Sequence, residues 1–180
     1  MADPGVGGAN VPAEASEPAE TSPAAAAVSA LREAGLTLAT AESLTAGLLA
    51  ATVATVPGAS AVLRGGLVVY ATELKHSLAG VDAGVLERHG AVSAETAAAL
   101  AEGAARTCGA DVGVGLTGVA GPDTQEGHPA GTVHLGLHSP VAGTRTVALR
   151  LPGDRAAVRK GAVAAALREL VVLAGNESRG

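Results

Sequence analysis

The chain has 180 residues, the length of one domain, and 48% of them are apolar, so a substantial core can form. Tyr70 is the only aromatic residue, with no Phe and no Trp, so that core is layered from small aliphatic side chains, as close helix-on-sheet packing permits. Of the formal charge of −5, residues 1–25 contribute Asp3, Glu14, Glu17 and Glu20 with no base; the near-neutral, aromatic-poor remainder excludes direct binding of nucleic acid, which needs a basic surplus or stacking rings.

Cys108 is a lone cysteine, which excludes an internal disulfide framework and fits a reducing compartment. No Lys or Arg precedes Arg32 and no compact apolar run opens the chain, so a signal peptide is not expected. No stretch reaches about 18 uninterrupted apolar residues, so no membrane span is expected and the location is read as cytoplasmic. Residues 1–24, rich in Pro, Gly, Ala, Glu and Ser, read as a disordered acidic leader to a domain over 25–180.

In chain order, a helix over Ala25–Ala34 closed by Gly35 comes first. Leu36–Thr40 is a short β-compatible run, Glu42-Ser43 is polar, and Leu44–Val56 reads as a helix ended by Pro57-Gly58. Gly65–Ala71 reads as a buried strand, with helical turns at Thr72–Leu78 and Val85–His89. Ser93 is the expected N-cap of a helix over Ala94–Thr107, with Glu95 in its first turn and Gly109 past its end. Asp111–Leu116 is a strand, and Thr117–Ala130 a loop. Thr132–His138 and Thr144–Leu151 flank Pro140–Gly143 as a hairpin. Asp154 caps a last helix to about Leu173. Alternating helices and strands followed by a hairpin predict an α/β fold, a three-layer α/β/α sandwich with a mixed sheet.

Four places carry possible chemistry. Ser43 lies at a strand-to-helix corner, where free N–H groups and the positive helix end suit an anion or a developing oxyanion, with Thr45 and Gly47 keeping the corner polar and open. The plainer reading is a serine that only caps its helix. The G-x-S-x-G elbow of α/β-hydrolases is missing. Lys75, one of two lysines, follows an apolar strand and is a residue type that can lose its proton when desolvated; the plainer reading is a solvated surface lysine. Tyr70 is either core filler or a hydroxyl in need of a partner.

The third place is the loop Thr117-Gly118-Val119-Ala120-Gly121-Pro122-Asp123, whose small residues let backbone approach a ligand closely. Gly113-Val-Gly115-Leu-Thr-Gly118 matches G-x-G-x-x-G formally, but two of its glycines fall inside a strand and Pro122 interrupts any following helix, so a dinucleotide fingerprint is rejected. The fourth is Arg155 and Arg159, one helical turn apart, which can grip a phosphate or decorate a solvated face. Metal binding is not expected: His134 and His138 are about 13 Å apart at strand rise, and Asp123, Glu126 and His128 read as a solvated turn.

Taken in order, these segments resemble one family. Thr40-Ala41-Glu42-Ser43-Leu44-Thr45-Ala46-Gly47 resembles the A-E-S-x-T-G-G signature of the CinA C-terminal domain. Gly66–Tyr70 with Lys75, Gly80-Val81, His89-Gly90-Ala91-Val92-Ser93, Thr117–Asp123, Pro129–Val133 and Gly153-Asp154-Arg155…Arg159 continue the likeness over residues 25–172. The resemblance implies a stand-alone nicotinamide-nucleotide amidohydrolase, which converts nicotinamide mononucleotide to nicotinate mononucleotide and ammonia in pyridine-nucleotide salvage. It implies Ser43 as nucleophile, Lys75 as general base, Tyr70 and Thr117 as proton relays, and backbone near Thr45, Ala46 and Gly47 as the oxyanion site. Gly118 and either Arg155 or Arg159 would contact substrate. It implies no metal or organic cofactor, a small-molecule nucleotide as partner, and a homo-oligomer. Ala46 departs from the pattern by placing a methyl group where the family has glycine. Two competing readings are a non-catalytic nucleotide-binding or competence-associated interaction module, and a hydrolase of the same mechanism acting on another small amide.

Overall fold

The computed structural model describes residues 22–177, and six α-helices and five strands lie among them. Helix α1 (Pro23–Glu33) is capped by the Ser22 hydroxyl, which accepts from the Ala25 N–H, and has Pro in its first turn. This moves the domain boundary: 22–24 belong to the folded part, because Ser-Pro is a capping pair and not a leader end. The rest of the expected leader, residues 1–21, lies outside the described residues.

Strand β1 (Leu38–Glu42) runs two residues later than the β-compatible run suggested. Helix α2 is only Leu48–Ala54, shorter at both ends than the expected Leu44–Val56, because 43–47 form a turn. A 3-10 turn at Ala59–Ala61 leads to β2 (Leu63–Val68), and α3 (Thr72–Ser77) and α4 (Ala83–His89) follow. Helix α5 (Ala94–Cys108) begins at Ser93, whose hydroxyl accepts from the Thr96 N–H, and ends at Gly109. Strand β3 (Val112–Gly118), the hairpin β4 (Thr132–Ser139) and β5 (Gly143–Arg150), and α6 (Arg155–Glu177) complete the chain. The Asp154 carboxylate accepts from the Ala157 N–H, so it caps α6 as its position predicted.

The sheet order is β2-β1-β3-β4-β5, with β1 parallel to both neighbours and β4 and β5 antiparallel, a mixed sheet as expected. Side-chain alternation divides the core between the two faces. Leu38, Val112, Val114 and Leu116 pack with α1, α2 and α6, whereas Ala39 and Ala41 pack with Val69, Val81, Leu100 and Ala104 on the α5 side. On that side a Cβ at Gly113, Gly115 or Gly136 would come within 1.9–2.3 Å of an α5 carbonyl oxygen. These glycines let the helix lie directly on the sheet, which accounts for the formal G-x-G match inside β3. Among the described residues no helix is long and apolar enough to cross a membrane.

Candidate active site

The three parallel strands end on the same side of the sheet, where α/β proteins place their ligands. Ser43 follows β1, Tyr70 and α3 follow β2, and Gly118 ends β3 with Val119 to Gly121 following it. They surround an open cavity of about 310 Å³, lined among others by Ser43, Leu44, Tyr70, Gly118, Asp123 and Arg155. That is large enough for a small-molecule ligand.

Ser43 is held by its backbone: its N–H donates to the Leu116 carbonyl (2.9 Å) and its own carbonyl accepts from the Ala46 N–H (3.0 Å). Its hydroxyl accepts from Lys75 Nζ at 3.1 Å, and Nζ also donates to the Val69 carbonyl at 3.1 Å. Lys75 is 2% exposed, which removes the solvated-surface reading. Burial pushes its pKa below the usual lysine value, opposed by the carboxylates of Glu126 and, less strongly, Glu73. A desolvated amine beside a serine hydroxyl is the arrangement that can remove the serine proton.

Ser43 does not cap α2. Gly47, at φ +89°, precedes that helix without a capping side chain. The Glu42 carboxylate, 1% exposed, accepts from the Leu49 N–H (3.0 Å), the Ala50 N–H (2.9 Å) and the Thr40 hydroxyl (3.0 Å). The positive helix end is therefore already satisfied by a carboxylate, and the idea of an anion site there is corrected. Thr45, Ala46 and Gly47 are not among the residues lining the cavity; Thr45 is fully buried. They shape the turn that presents Ser43. Ala46 sits at φ +50°, so its methyl group costs about 1–2 kcal/mol relative to a residue at ease in the left-handed region.

The two arginines separate into different tasks. Arg159 donates to the carbonyls of Leu44 (3.0 Å) and Thr45 (2.7 Å) and so grips the serine turn from behind. Arg155 lines the cavity, donating to the Tyr70 hydroxyl (2.6 Å) and the Gly121 carbonyl (3.1 Å). Tyr70 is 53% exposed, a cavity wall and not core filler. Thr117 is buried and donates to the Ala91 carbonyl at 2.5 Å, so it braces the turn before α5. Gly118 lines the cavity.

Sequence reasoning missed Glu42 as a brace and Thr124 and Gln125 as cavity lining, whereas Asp123 belongs to the loop already singled out. For Glu42 a signal existed: a charged residue closing an otherwise apolar strand needs buried partners. Thr124 and Gln125 show no such signal in sequence, because a wall in space looks like a polar turn along the chain. His134 and His138 both lie on β4; His138 Nδ1 is 2.8 Å from the Thr144 hydroxyl, and burial foremost lowers the His134 pKa. Among the described residues no group of three or more His, Cys, Asp or Glu could hold a metal ion.

Residues 20–173 match the CinA C-terminal domain family. A CinA-like protein from Frankia casuarinae is 56% identical over 131 residues, 73% of this chain and 30% of that protein. The chain spans about a third of the length of the curated relatives it matches. A competence-damaged protein (CinA) superfamily protein from Klebsiella pneumoniae superposes with a TM-score of 0.82 at 32% identity, covering 86% of this chain and 96% of that one. A member of the same superfamily from Enterobacter cloacae gives 0.81 at 31% identity, covering 92% and 98%.

Proposed function

Because this chain belongs to the CinA C-terminal domain family, we propose that it hydrolyses the carboxamide of nicotinamide mononucleotide, releasing ammonia and nicotinate mononucleotide. The observation that carries the reading is the buried Lys75 amine 3.1 Å from the Ser43 hydroxyl at the edge of an open polar cavity. Neutral Lys75 takes the Ser43 proton as Oγ attacks the carboxamide carbon. The resulting oxyanion forms inside the cavity that Ser43 lines together with Leu44 and Gly118 to Gly121. Lys75 then passes its proton to the leaving nitrogen, the C–N bond breaks, and ammonia departs, leaving an ester on Ser43. A water molecule, deprotonated by Lys75, attacks that ester; Lys75 returns this proton to Ser43 as the acyl C–O bond breaks, and the acid product loses its own proton to solvent as it leaves as carboxylate.

Arg155, held against Tyr70 at the rim, supplies a guanidinium for the phosphate of the nucleotide. Arg159, with its donors directed to Leu44 and Thr45, is a positioning residue for the nucleophile and not a substrate contact. The test is ammonia release from nicotinamide mononucleotide by the purified protein beside Ser43→Ala. Turnover by the wild type, reduced on the order of 10⁴-fold in the variant, supports the reading. Full turnover by Ser43→Ala overturns the mechanism.

A second reading, a nucleotide-binding module without turnover, is favoured by one observation, the left-handed Ala46 in the serine turn. Saturable mononucleotide binding with no ammonia release by the wild type would select it. Turnover of another small amide in preference to the mononucleotide would keep the mechanism and replace the substrate.

A further inference from the structure

The wall of the cavity opposite Ser43 is the segment between β3 and β4, which supplies Val119, Ala120, Gly121, Asp123, Thr124 and Gln125 to the lining. Its tip is a tight two-residue turn: the Gln125 N–H donates to the His128 carbonyl (3.1 Å) and the His128 N–H to the Gln125 carbonyl (2.8 Å). The two central residues, Glu126 and Gly127, have φ +52° and +78°. Turns of this kind favour Asn, Asp or Gly at both central positions. A long acidic side chain in the first of them is strained by about 1–2 kcal/mol, so turn geometry does not explain why glutamate is there.

Its contacts do. The Glu126 carboxylate crosses to the turn before α5 and accepts from the Val92 N–H at 3.1 Å. There it rests against Gly90, where a Cβ would lie 2.6 Å from Oε2. That glycine, at φ +77°, leaves the notch open. The same turn receives the Thr117 hydroxyl at the Ala91 carbonyl. The wall is thus tied at its tip to the turn before α5, and the Glu126 carboxylate opposes the larger effect of burial on the Lys75 pKa.

We propose that Glu126 is a positioning residue: its carboxylate latches the cavity wall to the Gly90–Val92 notch. The latch itself stands on the contacts; only its kinetic consequences rest on the amidohydrolase reading.

Two variants separate the hydrogen bond from the charge. Glu126→Gln keeps an oxygen for the Val92 N–H and removes the charge; Glu126→Ala removes both. Hydrogen exchange at the Val92 amide reads the latch without requiring a substrate. In Glu126→Ala the Val92 amide exchanges about tenfold faster and KM rises about tenfold with kcat far less affected. In Glu126→Gln the Val92 amide keeps its protection and KM is retained. Wild-type exchange at Val92 in Glu126→Ala overturns the latch. If the wild type releases no ammonia, the amidohydrolase reading fails while exchange still decides this one.

Discussion

Two loops face each other across the cavity, and each contains one of the two described non-glycine residues with positive φ, Ala46 in the serine turn and Glu126 in the wall. They are held in different ways. The serine turn is fixed from several directions: Glu42 holds the start of α2, Arg159 grips two carbonyls, and the Ser43 N–H is anchored on β3. The wall is tied near its base by the hydrogen bonds between Val119, Gly131 and Thr132, at Gly121 by Arg155, and at its tip by one exposed carboxylate. Local strain persists where the surroundings over-determine it. A nucleophile must stay within a fraction of an ångström of its base, whereas a wall that admits substrate must open.

Breaking the base is the largest perturbation. Lys75→Met removes proton transfer and is expected to reduce ammonia release by several orders of magnitude. The same change raises thermal stability, because burial disfavours the charged amine. The sign follows from linkage. With the folded-state pKa below the usual 10.5, the unfolded chain holds the extra proton, so the wild type loses stability as pH falls from that value to the depressed one. Lys75→Met lacks this slope, which urea unfolding over that pH range measures; equal slopes would mean that Lys75 is not desolvated.

The arginines sharpen the contrast between turn and wall. Arg159→Ala leaves the Leu44 and Thr45 carbonyls without their donor and lets the serine turn shift, so kcat falls by about 10- to 100-fold and the melting point drops. Arg155→Ala leaves the serine turn intact and raises KM by about tenfold with little change in stability, since its two hydrogen bonds, to Tyr70 and Gly121, lie at the cavity rim. Steady-state kinetics with thermal melts on both variants decide this. Identical kcat and KM patterns would contradict the division of tasks.

Ala46→Gly is the gentlest change. It relieves the left-handed backbone while adding freedom to the unfolded chain, so a net gain of about 0.5–1 kcal/mol is expected. Denaturant unfolding reads it. A loss of stability would mean that the methyl group makes contacts worth more than the strain.

Much of the fold was legible in sequence because it is written in local signals. Ser93 with Gly109, Asp154 before α6 and the Pro140–Gly143 break are caps and turns, whose causes lie within a few residues. The errors fell where local signals compete. Leu44–Val56 looks helical throughout, but Gly47 at φ +89° and the buried Glu42 carboxylate set the start of α2 at Leu48. Ser22-Pro23 was read with the composition of the leader, although the pair is a helix start.

The sequence by itself determined the order and kind of the elements and the inventory of reactive groups: one tyrosine, a lysine after an apolar strand, a serine after another, and two arginines a turn apart. Only the tertiary structure decided which of them meet. Ser43 and Lys75 are 32 residues apart and converge because β1 and β2 pair in parallel and end on the same side of the sheet. Arg155 and Arg159 look alike along the helix, yet one faces the cavity and the other the serine turn, since side chains four apart project from different heights of a helix that packs across both. Periodicity and capping act over a few residues; burial, which lowers the pKa of the Lys75 amine, is a property of the assembled core.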